Sequence, residues 1–126
     1  MKAVHLYTGQ DGSSHFADLD IPLDSVANGE QWSSGPSDGV IFRQTAAGSE
    51  QAYHPAPRRQ FVITLAGKAE IETGDGTKRT FGAGDIMLAD DTTGQGHITR
   101  VTEGPRRFLF VPLSDSIDVN QWRVQR

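Results

Sequence analysis

The middle of the chain alternates between short apolar runs and glycine-rich turns. Apolar and β-branched residues cluster at 40–45, 60–72, 86–89, 97–101 and 107–111. Asp75-Gly76 is a hairpin signal, because Asp-Gly readily adopts the positive φ values of tight two-residue turns. No run repeats its apolar residues with the 3.6-residue period of a helix. The spacing of strands and turns is typical of a sandwich or small barrel, so we predict an all-β domain.

The two ends of the chain are less regular. Residues 15–21 alternate apolar and polar positions, which indicates a strand. Residues 24–39 are rich in Ser, Gly, Asp and Asn and predict a long loop. The last residues mix apolar and polar positions and predict either a docking arm or a frayed end. We therefore predict one domain with an N-terminal arm at 1–39, a barrel core at about 40–111 and a C-terminal tail at 114–126.

The central strand contains an uninterrupted apolar stretch at 61–65. Such a stretch predicts a strand that is buried on both faces. One face would line the interior of the barrel. The other would be covered by the N-terminal segment, by the tail or by a second subunit. The apolar outer face therefore also predicts a homodimer.

Composition excludes several classes of function. The 126 residues suit a single domain. Without cysteine, zinc ribbons, iron–sulfur sites and thiol nucleophiles are excluded. A net charge of −4 argues against a dedicated nucleic-acid binder. No apolar run approaches the roughly 18 residues that a membrane span needs, and no signal-peptide core precedes the domain. These features predict a cytoplasmic single-domain protein that does not bind nucleic acid or span a membrane.

Three positions before and within the central strand share one parity. Residues at 54, 56 and 60 project to one face if the strand is regular, which places His54, Ala56 and Gln60 together. A second histidine, His97, begins a later strand after a glycine-rich turn. We expect the two histidines to meet across the mouth of a barrel.

These stretches resemble the two signature motifs of the cupin superfamily. The matching positions are Gly48, His54 and Gly67 in the first motif, and Gly84, Gly94 and His97 in the second. The resemblance covers roughly residues 40–111. It implies a double-stranded β-helix barrel of the jelly-roll-like kind, with its site at the barrel mouth.

The motifs depart from those of metal-binding cupins, which use two histidines and a glutamate from the first motif and one histidine from the second. Here Ala56 replaces the second histidine and Gln60 replaces the glutamate. The resemblance leaves His54, Gln60 and His97 to hold a divalent metal such as Fe, Mn, Ni or Zn. A neutral amide oxygen is a weaker donor than a carboxylate. A site in which the histidines act without metal therefore stays open.

Arginines close to the motif are candidates for binding a substrate carboxylate. A guanidinium binds planar anions through two parallel hydrogen bonds. Arg43 and Arg59 are the two candidates, and the sequence leaves open whether Arg43, Arg58 or Arg59 faces the cavity. Gln60 would orient the substrate.

The incomplete ligand set favours acid–base chemistry over oxygen chemistry. Imidazoles exchange protons near neutral pH without a metal. The resemblance therefore implies an isomerase, cyclase or lyase acting on a small polar metabolite, with His54 and His97 as acid and base. One alternative is a barrel that binds a small ligand without catalysis. A second is an Fe(II)-dependent dioxygenase, which the missing carboxylate disfavours.

Overall fold

The computed structural model describes residues 1–125, which form an all-β fold. No helical segment within that range is long and apolar enough to cross a membrane. The strands are β1 (Lys2–Thr8), β2 (Ser14–Asp20), β3 (Asp24–Val26), β4 (Gly29–Gln31), β5 (Ile41–Thr45), β6 (Glu50–His54), β7 (Gln60–Glu72), β8 (Lys78–Phe81), β9 (Ile86–Asp90) and β10 (His97–Pro112), and they are followed by a short 3-10 helix (Val119–Trp122).

Eight of the strands form one mixed sheet in the order β2-β1-β9-β7-β10-β5, with β8 added to β7 and β6 added to β10. Strand β1 is parallel to β9, and the other pairs in this sheet are antiparallel. Within residues 1–125, β2 and β5 end the path without pairing with each other. The all-β prediction is confirmed, and the strand pairing of the described residues does not close into a barrel.

Two long strands take the place of barrel closure by folding the sheet over itself. The first part of β7 pairs with β9, whereas its last part pairs with β8. Gly67 lies between the two parts with a φ of +76°. Strand β10 follows the same bend, with shifts of register between Val101 and Phe108. Strand β10 nevertheless continues through these shifts from His97 to Pro112. The two separate strands predicted at 97–101 and 107–111 are therefore one strand.

The folded sheet has two clusters of buried side chains. The inner cluster joins both layers and consists of Leu6, Ala56, Val62, Ile71, Phe81, Met87, Ala89 and Phe108. The outer cluster lies on the opposite face and consists of Ala3, Leu19, Ile21, Phe61, Leu88, Leu113, Val119 and Trp122. Neighbouring residues of β7 thus enter different clusters, which confirms that both faces of this strand are buried as far as Thr64.

The N-terminal segment is more regular than the sequence indicated. Strands β1 and β2 belong to the main sheet, and β3 pairs with β4 as a separate hairpin. The prediction of a loop throughout 24–39 is therefore wrong at its start. The reason is a tight turn at Ala27-Asn28, in which Asn28 adopts a φ of +68° and Gly29 follows as the first residue of β4.

The C-terminal tail is a docking arm. Val119 and Trp122 are buried, and the Trp122 ring meets Trp32 edge-on at a centroid distance of 4.9 Å. Arg59 holds the segment before them by donating from Nη1 to the carbonyl oxygen of Ser114 at 3.0 Å and to that of Ile117 at 2.7 Å. The tail covers the apolar outer face of the sheet. That face no longer argues for a homodimer, which stays a prediction.

Replacing Arg59 by methionine is expected to loosen this tail. Two charge-assisted hydrogen bonds to carbonyl oxygens are lost, so we expect the free energy of unfolding to fall by about 2 kcal/mol. Hydrogen exchange of the amides in 114–125 should accelerate before that of β7. The matched control is Arg58→Met, because Arg58 bonds Gln60 and not the tail. Equal exchange in the two variants would contradict this assignment.

Candidate functional site

A cavity of about 230 Å³ lies between the two layers of the folded sheet. Its walls come from β5, β6, β7, β9 and β10, which are brought together by the bends in β7 and β10. Val62, Met87 and Phe108 contribute apolar wall. His54 and His97 are among its polar residues. The cavity therefore combines apolar walls with a few polar groups, as small-ligand sites do.

The two histidines are direct neighbours because β6 pairs with β10 at this point. His54 and His97 are opposite each other in the strand register. Their ring centroids are 4.6 Å apart and the planes are inclined by 55°. The structure thus brings together the two imidazoles that the sequence placed far apart in the chain. Gln60 and Ala56 line the same cavity as His54. They do so although the regular strand that the parity argument assumed is interrupted, since β6 ends at His54 and β7 begins at Gln60.

Each imidazole is fixed through its Nδ1 atom. His54 Nδ1 lies 2.8 Å from the carbonyl oxygen of Ala52, which only accepts, so this nitrogen carries the proton. His97 Nδ1 lies 2.6 Å from Oδ2 of Asp91 and donates to the carboxylate. Neither Nε2 has a hydrogen-bond partner among residues 1–125. Both rings therefore offer an Nε2 lone pair for binding or for proton transfer.

Asp91 is the support for His97 and is fully buried. Ser14 Oγ donates to the same carboxylate oxygen at 2.6 Å. The other oxygen, Oδ1, is buried and lacks a partner within the described chain. Ser14 bonds the carboxylate and not the imidazole, so this arrangement is not that of a serine nucleophile. The neighbouring Asp90 points elsewhere, towards His5 at 2.9 Å.

The amide of Gln60 is poorly placed to hold a metal. Its Oε1 atom accepts a hydrogen bond from Arg58 Nη1 at 3.0 Å. The positive guanidinium against this oxygen opposes a second cation there.

Glu50 also lines the cavity, but its carboxylate lies 2.7 Å from Arg100 Nε. Hydrogen bonds that Arg100 donates to Glu72, Glu50 and Glu70, in that order of effect, raise the pKa of Arg100, so these carboxylates already pair with a cation.

The donor set consequently fits the implied divalent metal poorly. Two imidazole nitrogens, on His54 and His97, are the donors without other partners. No group of three or more His, Cys, Asp or Glu side chains suited to a metal occurs in residues 1–125. We assign no chemical step to a metal at this site.

The structure also decides which arginines reach the cavity. Arg43 lines it, but Arg59 does not, because the Arg59 guanidinium is held by the tail and lies 3.4 Å from Asp90. The expectation that Arg59 contacts substrate in this cavity is therefore corrected. Arg58 extends to Gln60. The residue that the sequence reasoning missed is Arg106, which lines the cavity and is 5% exposed.

Arg106 is a buried cation with few contacts. Its guanidinium lies 3.9 Å from the centroid of the Phe108 ring, and its Nε atom is buried without a partner in the described residues. Burial, followed by the positive charge of Arg43, lowers the pKa of Arg106 to about 10. Its even spacing from Phe108 and Phe110 was a usable signal, but only once β10 is recognised as a single strand.

No family model matches the chain, and no curated protein matches it. Among solved structures, it is similar to the crystal structure of protein NMB1881 from Neisseria meningitidis, with a TM-score of 0.47, 17% identity, and coverage of 61% of this chain and 77% of that one. It is also similar to the conserved SPY1581 protein of unknown function from Streptococcus pyogenes, with a TM-score of 0.44, 19% identity, and coverage of 64% and 80%. Neither likeness is strong enough to assign a family or an activity.

Proposed function

We propose that the chain is a small-molecule enzyme that moves a proton within its substrate, as an isomerase, cyclase or lyase does, on a cupin-type double-stranded β-helix. Support for the fold comes from β7 and β10, which each run through both layers around one cavity. Further support comes from the motif residues His54 and His97, which face each other at that cavity.

The observation that carries this proposal is the pair of imidazoles fixed through Nδ1. The ring centroids lie 4.6 Å apart, so one small substrate can reach both Nε2 atoms, and one imidazole can accept a proton while the other donates one. His97 Nε2 accepts a proton from the substrate, because the Asp91 carboxylate balances the charge that appears on this ring. His54, whose Nδ1 contacts a neutral carbonyl, acts as the acid when its Nε2 atom has taken up a proton, which it then delivers to another atom of the same substrate.

The buried carboxylate has a positioning role in this scheme. Asp91 contacts Nδ1 of His97 and lies behind the ring, so it fixes the tautomer and the direction of Nε2. The dioxygenase hypothesis would instead need iron on His54, Gln60 and His97. The Arg58 guanidinium on Gln60 Oε1 argues against that arrangement.

Solvent isotope exchange tests the proposal without knowledge of the natural substrate. The protein is incubated in D₂O with a panel of small keto acids, hydroxy acids and sugars, and deuterium uptake is followed by NMR and mass spectrometry. We expect protein-dependent exchange into at least one compound. His54→Gln and His97→Gln should reduce it to the rate without protein. The control is His15→Gln, whose ring contacts Asp11 and Tyr7 and does not line the cavity.

Two results would overturn proton transfer by this pair. In the first, both cavity variants exchange as fast as the wild type. In the second, no compound exchanges although some of them bind, which is the outcome that the non-catalytic ligand-binding alternative predicts.

A further inference from the structure

Two neighbouring residues of the cavity wall each have an unsatisfied polar atom. Thr45 on β5 and Arg106 on β10 are register partners, and both line the cavity. Thr45 Oγ1 and Arg106 Nε are each buried without a hydrogen-bond partner among residues 1–125. Buried donors without acceptors are rare in folded proteins because each carries a desolvation penalty. Two of them at one point in a cavity indicate that an acceptor belongs there.

The charge of the cavity points to the same conclusion. Arg43 lies two pairs further along the same strands, opposite Phe108, and also lines the cavity. Glu50 is the acidic residue in the described lining, and Arg100 already binds it. The cavity is therefore positive although the whole chain carries a charge of −4.

We propose that Arg106, Thr45 and Arg43 form a subsite for the carboxylate of a small organic acid. The guanidinium of Arg106 supplies the planar pair of donors that a carboxylate accepts, and the Phe108 ring on which it lies keeps that plane in place. Thr45 Oγ1 adds a third donor. This inference rests on the proposed function in one respect: the acid bound here is the substrate on which His54 and His97 act.

The dimensions of the cavity restrict the rest of the ligand. Because an engineered cavity of about 150 Å³ holds benzene, a volume of about 230 Å³ takes roughly nine non-hydrogen atoms. Val62, Met87 and Phe108 make part of the wall apolar. The ligand class is thus a compact acid with one carboxylate and a short, partly apolar body.

Matched pairs of acids and amides test the subsite by binding alone. Calorimetric titration would compare acetate, butyrate and benzoate with acetamide, butyramide and benzamide, which have the same shapes without the charge. Inorganic phosphate is titrated in parallel. We expect at least one carboxylate to bind about tenfold or more tightly than its amide, which corresponds to about 1.4 kcal/mol.

The variant that tests the assignment is Arg106→Met. It should abolish the preference for the carboxylate, retain the weak binding of the amide, and raise the melting temperature of the ligand-free protein because an unpaired buried charge is removed. The matched control is Arg107→Met, since Arg107 is the next residue on the strand, is exposed, and bonds Gln44 on β5. This control should keep the wild-type preference.

Several outcomes would overturn the subsite: no carboxylate binding more tightly than its amide, a preference that survives Arg106→Met, or phosphate binding more tightly than every carboxylate. The test is independent of catalysis. His54→Gln and His97→Gln should keep the carboxylate preference. If these two variants also exchanged deuterium as fast as the wild type, the proposed proton transfer would be overturned, but the carboxylate subsite would not. If only neutral sugars exchanged deuterium, the carboxylate subsite would be overturned, but the proposed proton transfer would not.

Discussion

Replacing Asp91 by alanine is expected to lower the free energy of unfolding by about 3–5 kcal/mol. Asp91 is fully buried, and its Oδ2 atom accepts from both His97 Nδ1 and Ser14 Oγ. The truncation removes the acceptor of two buried donors and leaves them without water or protein partners. Domains of this size are stable by only about 5–15 kcal/mol, so the loss is a large share of the total. Urea unfolding followed by circular dichroism measures it.

Comparing Asp91→Asn with Asp91→Ala separates the effect of removing the negative charge from the effect of removing the whole side-chain group. Asparagine keeps one acceptor for His97 and most of the volume, so we expect a smaller decrease than for alanine. The control is Asp20→Ala, because Asp20 pairs with the N-terminal ammonium at the surface, and such exposed pairs contribute about 1 kcal/mol or less. Equal effects at Asp91 and Asp20 would show that the buried carboxylate does not stabilise the site.

Gly67→Ala is expected to destabilise the protein by about 3 kcal/mol. Gly67 has a φ of +76°, which by itself disfavours a residue with a Cβ atom by about 1–2 kcal/mol. An added Cβ would also lie 2.5 Å from the carbonyl oxygen of Glu103 and 2.9 Å from the Cα atom of Arg106. Both are backbone atoms of β10, so the strand itself must shift. Thermal and urea unfolding measure the effect.

Gly76→Ala provides the matched comparison. Gly76 has a φ of +85°, but a Cβ there would have no neighbour within 4 Å. Alanine at this position is disfavoured only by the positive φ and not by a close contact, so we expect the free energy of unfolding to decrease by about 1 kcal/mol. The difference between the two variants reports the close approach of β7 to β10. If alanine at Gly67 and alanine at Gly76 destabilised the protein equally, the close approach of β7 to β10 would not contribute to the cost of substituting Gly67.

Local patterns predicted much of the central sheet. The strand around Phe61, the hairpin between β7 and β8 and the absence of long helices in residues 1–125 all follow from periodicity and turn chemistry, which depend on residues close in the chain. The turn of that hairpin is longer than the two-residue turn that Asp75-Gly76 predicted, because Glu72 pairs with Lys78 and only Gly76 has a positive φ. The hairpin at Asn28-Gly29 could have been found in the same way. Whether the sheet closes into a barrel could not be predicted in this way, because closure depends on which strand edges meet, and no local pattern encodes that.

Part of the candidate site could likewise be predicted from local sequence patterns, and part of it depends on long-range packing. Parity predicted His54 and Gln60 on one face of a single strand, but they lie on β6 and β7 and meet at the cavity through the fold. The turn before His97 indicated the start of its strand. The partner of His97 lay beyond sequence reasoning, because Asp91 and Asp90 are adjacent and identical in type. Only the packing of Asp91 against Ser14 on β2 distinguishes them.

The arginines show most directly what remained for the tertiary structure to decide. The sequence by itself determined an all-β chain, two histidines at strand ends and several arginines able to bind an anion. Which arginine is buried depends on contacts across the fold: the tail takes Arg59, whereas the pairing of β5 with β10 leaves Arg106 in the cavity. Period-two alternation fixes the face of a strand that a side chain occupies. Long-range packing decides what covers that face, and therefore which charges lie in the cavity.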